Sequence, residues 1–356
     1  MIGRLASVTD LRAAARDAFA EALATFDPAR PIAILSHFDA DGLAAAALLA
    51  RALEGAGHKV AVHLTGKGET PWDDSVAERL TTVQPGGLIL ADLGTRAEPV
   101  LPGVATLVID HHVPTGEPDG AITLSGNGLA PEPTTALLAW WAVGALGDVD
   151  DLLWLAAIGL IGDMEEGRDF PELAEAQARW GKTALRDAVS LINAPRRTAL
   201  ADAGPALRLL LRADGPKAIT KGSDDDAEAL RAAKLEVRAA MDVGKRAAPI
   251  VTGDVALIPL DTPCQIHPLI AQQWRARLKD KIVIAANRGY RPGWVHFAAR
   301  SASGRNLIDF LADHRPPNAD SRYGNGHAQA TGGALRVPDW NAFARDLGFP
   351  QAQVLS

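Results

Sequence analysis

The chain has 356 residues, 47% of them hydrophobic and 22% charged. That balance excludes a disordered or fibrous protein, and the length exceeds one ordinary core, since single cores rarely grow past about 250 residues. A formal net charge of −7 and a pI near 5.7 exclude a molecule that attracts polyanions as a whole, so long duplex DNA is not an expected partner and any nucleic-acid binding must come from a local basic patch.

In chain order, residues 1–26 space acids among apolar side chains at helical intervals, which predicts an amphipathic surface helix rather than a signal peptide. Short apolar runs then alternate with helical stretches: "PIAILSH" (31–37), a helix from about Gly42 to Gly57, "KVAVHL" (59–64), "GLILADLG" (87–94) and "TLVIDHH" (106–112). Strands apolar on both faces, alternating with helices, predict a parallel sheet covered by helices. Beyond Pro133 the pattern turns helical. Its most apolar window, "TTALLAWWAVGALG" (134–147), falls short of the ~20 residues that cross a bilayer. It reads as a buried helix, and a cytoplasmic location with no membrane partner is expected.

The polar stretch 212–246 contains a long charged helix for which Ser223, with Asp226 three residues on, is the candidate cap. It reads as part of a helical connector. From about Pro249, strand and helix signals resume in a smaller α/β domain. The expected division is 1–195, a connector 196–247, and 248–356. The one cysteine, Cys264, excludes an internal disulfide and reads as a packed side chain.

Chemistry-bearing residues gather where the strands of the first domain end. His37, Asp39 and Asp41 follow the first strand, Asp92 another, and Asp110, His111 and His112 the next; Asp163 ends the apolar helix 150–164. In a parallel sheet, ligands gather outside the carboxyl ends of the strands. Carboxylates brought together there repel and lose water, so protons or cations must neutralise them. Carboxylates and imidazoles together suit Mn²⁺, Mg²⁺ or Zn²⁺, a set without cysteine leans towards Mn²⁺ or Mg²⁺, and two ions would account for the number of ligands. Each motif alone is weak, because "DADG" is most often a turn or a helix cap. Two adjacent histidines behind a carboxylate, by contrast, have no packing rationale.

With "SHFDADG", "ADLG", "IDHH" and "GDM" in that order, and "GNGHAQATGG" near the C-terminus, the sequence resembles the DHH phosphoesterase superfamily with its DHH-associated C-terminal domain. That superfamily includes RecJ-type exonucleases, oligoribonucleases acting on very short RNA, and family II pyrophosphatases. The "SHxDADG" spelling is nearer to archaeal RecJ-like nucleases than to the pyrophosphatases. The resemblance implies a catalytic DHH domain over 1–195, a substrate-binding domain over 248–356 and an active site in the cleft between them. It makes His37, Asp39, Asp41, Asp92, His111 and Asp163 the metal ligands, with Asp92 and Asp163 shared between two ions, Mn²⁺ with Mg²⁺ as the alternative. Some members carry a ligating histidine further upstream, where this chain has Leu35. Asp110 would orient its neighbours, and His112 would donate to the phosphate or the leaving oxygen.

Between Trp274 and Arg305 lie Arg275, Arg277, Lys279, Lys281, Arg288, Arg291, Arg300 and Arg305 against the single acid Asp280, with Tyr290, Trp294 and Phe297 interleaved. Charge for phosphates and rings for bases predict a single-strand surface. In "AARSASGRN" and "GNGHAQATGG", Gly324, Gly326, Gly332 and Gly333 allow close backbone approach to a phosphate, and Arg300, Ser301 and His327 supply donors. The resemblance implies that these elements bind substrate, although Asn325 stands where a glycine is usual. The expected function is hydrolysis of single-stranded DNA or RNA, or of a short oligonucleotide, by two-metal activation of water, with room for a homodimer. The alternatives are a nucleoside bisphosphate or dinucleotide as substrate, and a non-catalytic nucleic-acid binder.

Overall fold

Runs of branched apolar residues fold as five short strands in a computed structural model of the chain, which describes residues 8–163, 165–320 and 322–352. β1 (Ile32–Ser36), β2 (Val60–Leu64), β3 (Gly87–Ala91), β4 (Thr106–Asp110) and β5 (Ile122–Ser125) form a sheet in the order β2-β1-β3-β4-β5. Every neighbouring pair is parallel. The two-residue period of a strand divides the side chains. Ile32, Ile34, Ile89, Ala91, Leu107 and Ile109 enter one core, and Ala33, Leu35, Leu88, Leu90 and Val108 enter the other. Burial on both faces is why these strands read as continuous apolar runs.

The helices that cover the sheet are α1 (Val8–Thr25), α2 (Ala40–Gly55), α3 (Asp74–Val83), α4 (Thr135–Val143) and α5 (Leu153–Gly162). α3 closes one face with Val76 and Leu80; the other four build the larger core. α1 turns Leu11, Ala15, Phe19 and Ala22 inward, one face of an amphipathic helix, while residues 1–7 of the expected helix lie outside the described residues. Buried Glu172 accepts from Arg12 Nη2 at 2.5 Å and from Trp141 Nε1 at 2.6 Å, tying α1 and α4 to α6 (Pro171–Trp180).

After α7 (Lys182–Ile192) come α8 (Gly204–Arg212), α9 (Pro216–Lys221) and α10 (Asp225–Gly244). The stretch 196–247, expected as a connector, is divided between the two units. Ala206, Leu209, Leu210 and Ile219 pack into the first core, because an amphipathic helix must bury its apolar stripe. The boundary between the units falls within α10, after Ala232. The cap of α10 is Asp224, whose Oδ1 accepts from Ala227 N at 2.9 Å, and not Ser223. A carboxylate there also gains from the positive end of the helix dipole.

The second unit takes residues 197–199 and those from 233 onward. β6 (Ile250–Thr252), β7 (Val255–Leu260), β8 (Ile282–Asn287), β9 (Trp294–Ser301), β10 (Tyr323–His327) and β11 (Ala330–Arg336) form a sheet in the order β10-β11-β9-β8-β7-β6. It is antiparallel except for the parallel pair β7–β8. α11 (His267–Arg275) covers one face through Ile270 and Ala271. α12 (Leu307–Asp313) and α13 (Val337–Asp346) cover the other through Leu311, Trp340 and Phe343. Among the described residues, no helix is long and apolar enough to cross a membrane.

One glycine fixes how closely the helices of the first core approach. A Cβ at Gly159 of α5 would stand 2.1 Å from Asp41 Oδ1 and 2.6 Å from Ala136 Cβ. In an unconstrained helix, Gly→Ala stabilises by about 0.5–1 kcal/mol. Here the sign inverts: Gly159→Ala is expected to destabilise by about 1–3 kcal/mol through overpacking, read as a lower urea midpoint. A raised midpoint would show that α5 moves aside freely.

Candidate metal centre

The carboxyl ends of β1, β3 and β4 and the termini of α2, α4 and α5 meet at one place. Asp39 is the N-cap of α2, its Oδ1 accepting from Gly42 N at 3.2 Å. Asp41, fully buried, accepts from Thr135 N at 2.8 Å and Ala136 N at 2.9 Å, so its carboxylate serves the first turn of α4 as a cap. Asp92 leaves β3 with φ +64, the left-handed region in which Asp is among the more tolerated non-glycine residues. Thr135 Oγ1 donates to its Oδ1 at 3.2 Å.

Asp110, at the end of β4, is almost fully buried and saturated. Its Oδ2 accepts from Leu93 N and Gly94 N, both at 2.7 Å. Its Oδ1 accepts from His112 N at 2.7 Å and lies 2.9 Å from His112 Nδ1. Nδ1 is thus occupied, and the ring, 41% exposed, keeps Nε2 for another partner. Burial would raise Asp110, but His112 and the backbone N–H groups hold it below the ordinary carboxylate value.

His111 faces the other way. Its Nε2 lies 3.2 Å from Asp163 Oδ2, 3.5 Å from Asp92 Oδ1 and 3.9 Å from Asp41 Oδ2, yet this buried nitrogen has no aligned hydrogen-bond partner. His111 Nδ1 lies 3.5 Å from Glu132 Oε1. His37 Nδ1 lies 3.1 Å from Asp39 Oδ2 and 3.4 Å from Asp92 Oδ2. Arg196 Nη1 comes within 3.5 Å of Asp39 Oδ2, and Asn193 Oδ1 accepts from Ala40 N at 3.0 Å.

Potential ligand atoms therefore fall into three overlapping sets: His37, Asp39 and Asp92; Asp41, His111 and Asp163; and Asp92, His111 and His112. Within each set the atoms lie within 4.8 Å of one another. The first two sets share no residue, which suits two cations. Asp92 and His111 recur in the third, whereas Asp163 falls in one set alone. The unaligned His111 Nε2, ringed by carboxylates, is the observation that fits a cation best.

Electrostatics carry the same signature. Burial opposes charge on His37, but Asp39 and Asp92 outweigh it and lift its pKa to about 10. His112 is lifted to about 9 against burial, first by its bond to Asp110 and then by the charge of Asp92. His111 is raised too, against burial, by Asp163, Asp92 and Glu132. Asp41 is raised well above its usual range by burial and then by Asp92 and Asp163, and Asp163 is raised chiefly by burial. Asp39 is pulled low in spite of burial by His37 and Arg196. Without cations, protons balance the charge.

In the second unit, Arg300, Ala330 and His327 stand side by side across β9, β11 and β10, with Ser301 next in β9. Arg300 is mostly buried, and its Nη1 donates to the carbonyls of Ala299 at 2.9 Å and Thr331 at 3.0 Å. Burial, with Arg275 nearby, brings it down to about 10. Ser301 is buried, its Oγ 2.8 Å from Ser303 Oγ, while Gly326 and His327 are exposed. Gly332 and Gly333 have a packing reason: a Cβ would meet the Phe297 carbonyl oxygen at 2.4 Å or the Arg322 carbonyl oxygen at 2.8 Å. The Asn325 side chain and Met164 of "GDM" lie outside the described residues.

The expected base-stacking platforms are not on the surface. Tyr290, in the turn before β9, and Trp294 and Phe297, on β9, are buried to within 5% of full coverage. Part of the basic cluster is neutralised as well, Arg288 by Asp261, Arg305 by Asp254 and Lys281 by Asp280. Glu132, Arg196 and Asn193 carry no signal in the sequence, because each lies outside any motif.

No family model and no curated protein matches the sequence. Among solved structures, RecJ from Thermus thermophilus in complex with Mn²⁺ aligns with a TM-score of 0.72 at 20% identity over 96% of this chain and 55% of that one. An exonuclease RecJ bound to manganese gives 0.65 at 22% identity over 95% and 94% of the two chains. The DHH domain of a member of the s1p family of ribosomal proteins gives 0.64 at 16% identity over 94% and 89%. The chain thus spans about half the length of the Thermus protein. These likenesses, all below 25% identity, show the fold alone: a parallel-sheet α/β unit and a second α/β unit folded like those of the RecJ structures.

Two outcomes follow from this arrangement. Asp110→Asn is expected to lower the His112 pKa from about 9 toward 6.5, followed by NMR titration of the metal-free protein; an unmoved value would mean that Asp110 does not set it. Histidines held protonated must shed their protons to ligate, as must the raised carboxylates. Mn²⁺ affinity should therefore rise with pH by up to about tenfold per unit for each proton released, measured by calorimetry in buffers of different ionisation enthalpy.

Proposed function

We propose that the chain is a metal-dependent phosphoesterase that hydrolyses single-stranded or short oligonucleotides, in the manner of a RecJ-type exonuclease or an oligoribonuclease. The observation that carries this reading is the pair of disjoint ligand sets joined by Asp92 and His111. His37, Asp39 and Asp92 would hold one cation and Asp41, His111 and Asp163 the other. Mn²⁺ or Mg²⁺ bound there would lower the pKa of a water and offset charge on the phosphoryl oxygens.

The protein's own groups supply the rest. Asp110 takes the Nδ1–H of His112, fixes the direction of the ring and stabilises its imidazolium form, and in that protonated form Nε2–H can be donated to a phosphoryl or leaving oxygen. Glu132 orients His111 from behind. Arg196 holds the Asp39 carboxylate ionised, and Asn193 steadies the first turn of α2. Arg300, Ser301, Gly326, His327, Gly332 and Gly333 stand as the substrate-binding group. Arg300 keeps N–H donors beyond the two bonds it already makes.

One observation favours a narrower substrate. With Tyr290, Trp294 and Phe297 buried, the second unit lacks the aromatic platforms expected there for a long strand. A short oligonucleotide, a dinucleotide or a nucleoside bisphosphate therefore fits better than a long strand. A purely binding role is disfavoured by the complete ligand set.

Asp92→Ala is expected to reduce hydrolysis by roughly a thousandfold or more with the circular dichroism spectrum unchanged; retained activity would exclude the mechanism. The substrate is read from time courses on 5′-labelled oligomers of about two, five and twenty-five nucleotides, in DNA and RNA, with Mn²⁺ or with EDTA. Rapid loss of the shortest oligomers alone supports the narrower reading, and stepwise shortening of the longest supports a RecJ-type exonuclease.

A further inference from the structure

A pocket walled by three arginines lies at the far end of β9 from Arg300. The β9–β11 register sets Trp294 beside Arg336 and Arg300 beside Ala330, so the two places are about 20 Å apart at the rise of a strand. Around the Trp294 indole, the guanidinium carbons of Arg336, Arg291 and Arg322 stand 4.2, 5.1 and 5.5 Å from the ring centroid. They border a cavity of about 260 Å³ whose wall also includes Asn318, Asp320 and Asp339. At ~30 Å³ per water, that is room for about nine water molecules, or for an anion with a similar number of heavy atoms.

Three guanidinium groups around one ring repel, and against the two acids of the wall they leave it net positive. Asp320 accepts from Arg322 N at 2.8 Å and Arg322 Nη1 at 2.7 Å, and Asp339 accepts from Asn318 Nδ2 at 3.1 Å. Arg336 is exposed, and its side chain's one partner among the described residues is the indole. A guanidinium lying against an aromatic ring keeps its in-plane N–H edge open, and that edge matches two phosphoryl oxygens. The indole is itself 5% exposed, so a nucleobase has no face to stack on.

We propose that this pocket is a binding site for a small phosphoryl anion, gripped by the N–H edge of Arg336 with Arg291 adding charge and Arg322 held in its pair with Asp320. It belongs to the second unit, while every residue of the metal centre belongs to the first. The anion is free pyrophosphate or phosphate, or the phosphate of a nucleotide.

The test is calorimetric titration of inorganic pyrophosphate into the full chain in EDTA, which silences the metal centre and avoids turnover. Saturable binding is expected, weakened about tenfold or more by Arg336→Gln and unchanged by Asp92→Asn. Because Arg336 is exposed and its side chain makes no hydrogen bond or ion pair among the described residues, that variant should keep its fold, which a thermal melt checks. Competition by a nucleoside 5′-monophosphate assigns the site to nucleotides, and its failure assigns it to free phosphate. No saturable binding, or binding that Arg336→Gln leaves unchanged, overturns the proposal.

Discussion

Asp39, Asp41, Asp92 and Asp163 are held close enough to repel one another in a place where burial denies them water. An uncompensated buried charge costs several kcal/mol, and the architecture around the four acids answers that cost group by group. The first turn of α4 donates two backbone N–H groups to Asp41, Thr135 donates to Asp92, and Arg196 stands beside Asp39. The imidazoles of His37 and His111 take up protons when no cation is present. The strand order places β1, β3 and β4 adjacent to one another, which brings segments far apart in sequence to a single spot.

The residues gathered at the candidate metal centre are legible in the sequence because each interrupts an apolar run. A strand that ends in His, Asp and Asp gives up burial for a reason, and the repeated interruption at successive strand ends points to one site. What stays hidden acts only through tertiary contact. Glu132 sits in a proline-flanked loop, and Arg196 in a short basic run after α7; neither has a period or a motif to mark it. The segment 196–247 reads as polar by composition, since its charged surface masks the apolar stripe of α8 and α9. The cap of α10 is displaced by one residue, the ordinary error when Ser and Asp compete at a helix start.

The second unit shows a different limit. Residue type says that an aromatic is present and not which way the strand turns it, so Trp294 and Phe297 read equally well as platforms or as core. The glycines of "GNGHAQATGG" are similarly double. Gly332 and Gly333 let β9, β10 and β11 pack without a Cβ in the way, and a close backbone approach to a ligand would leave the same trace in the sequence. Only the register of neighbouring strands separates these meanings.

The two ends of the ligand set carry unequal structural duties. Asp41 is wedged against Gly159 and caps α4, so its replacement disturbs helix packing along with the site. Asp163 stands at the C-terminal end of α5 with a side chain 28% exposed, and its carboxylate reaches toward His111 rather than toward any helix end. Mutational tolerance is therefore graded across the centre. If the chain hydrolyses phosphoesters as proposed, a descendant that traded catalysis for binding would find its shortest path at Asp163, where a ligand can be lost while the scaffold stands.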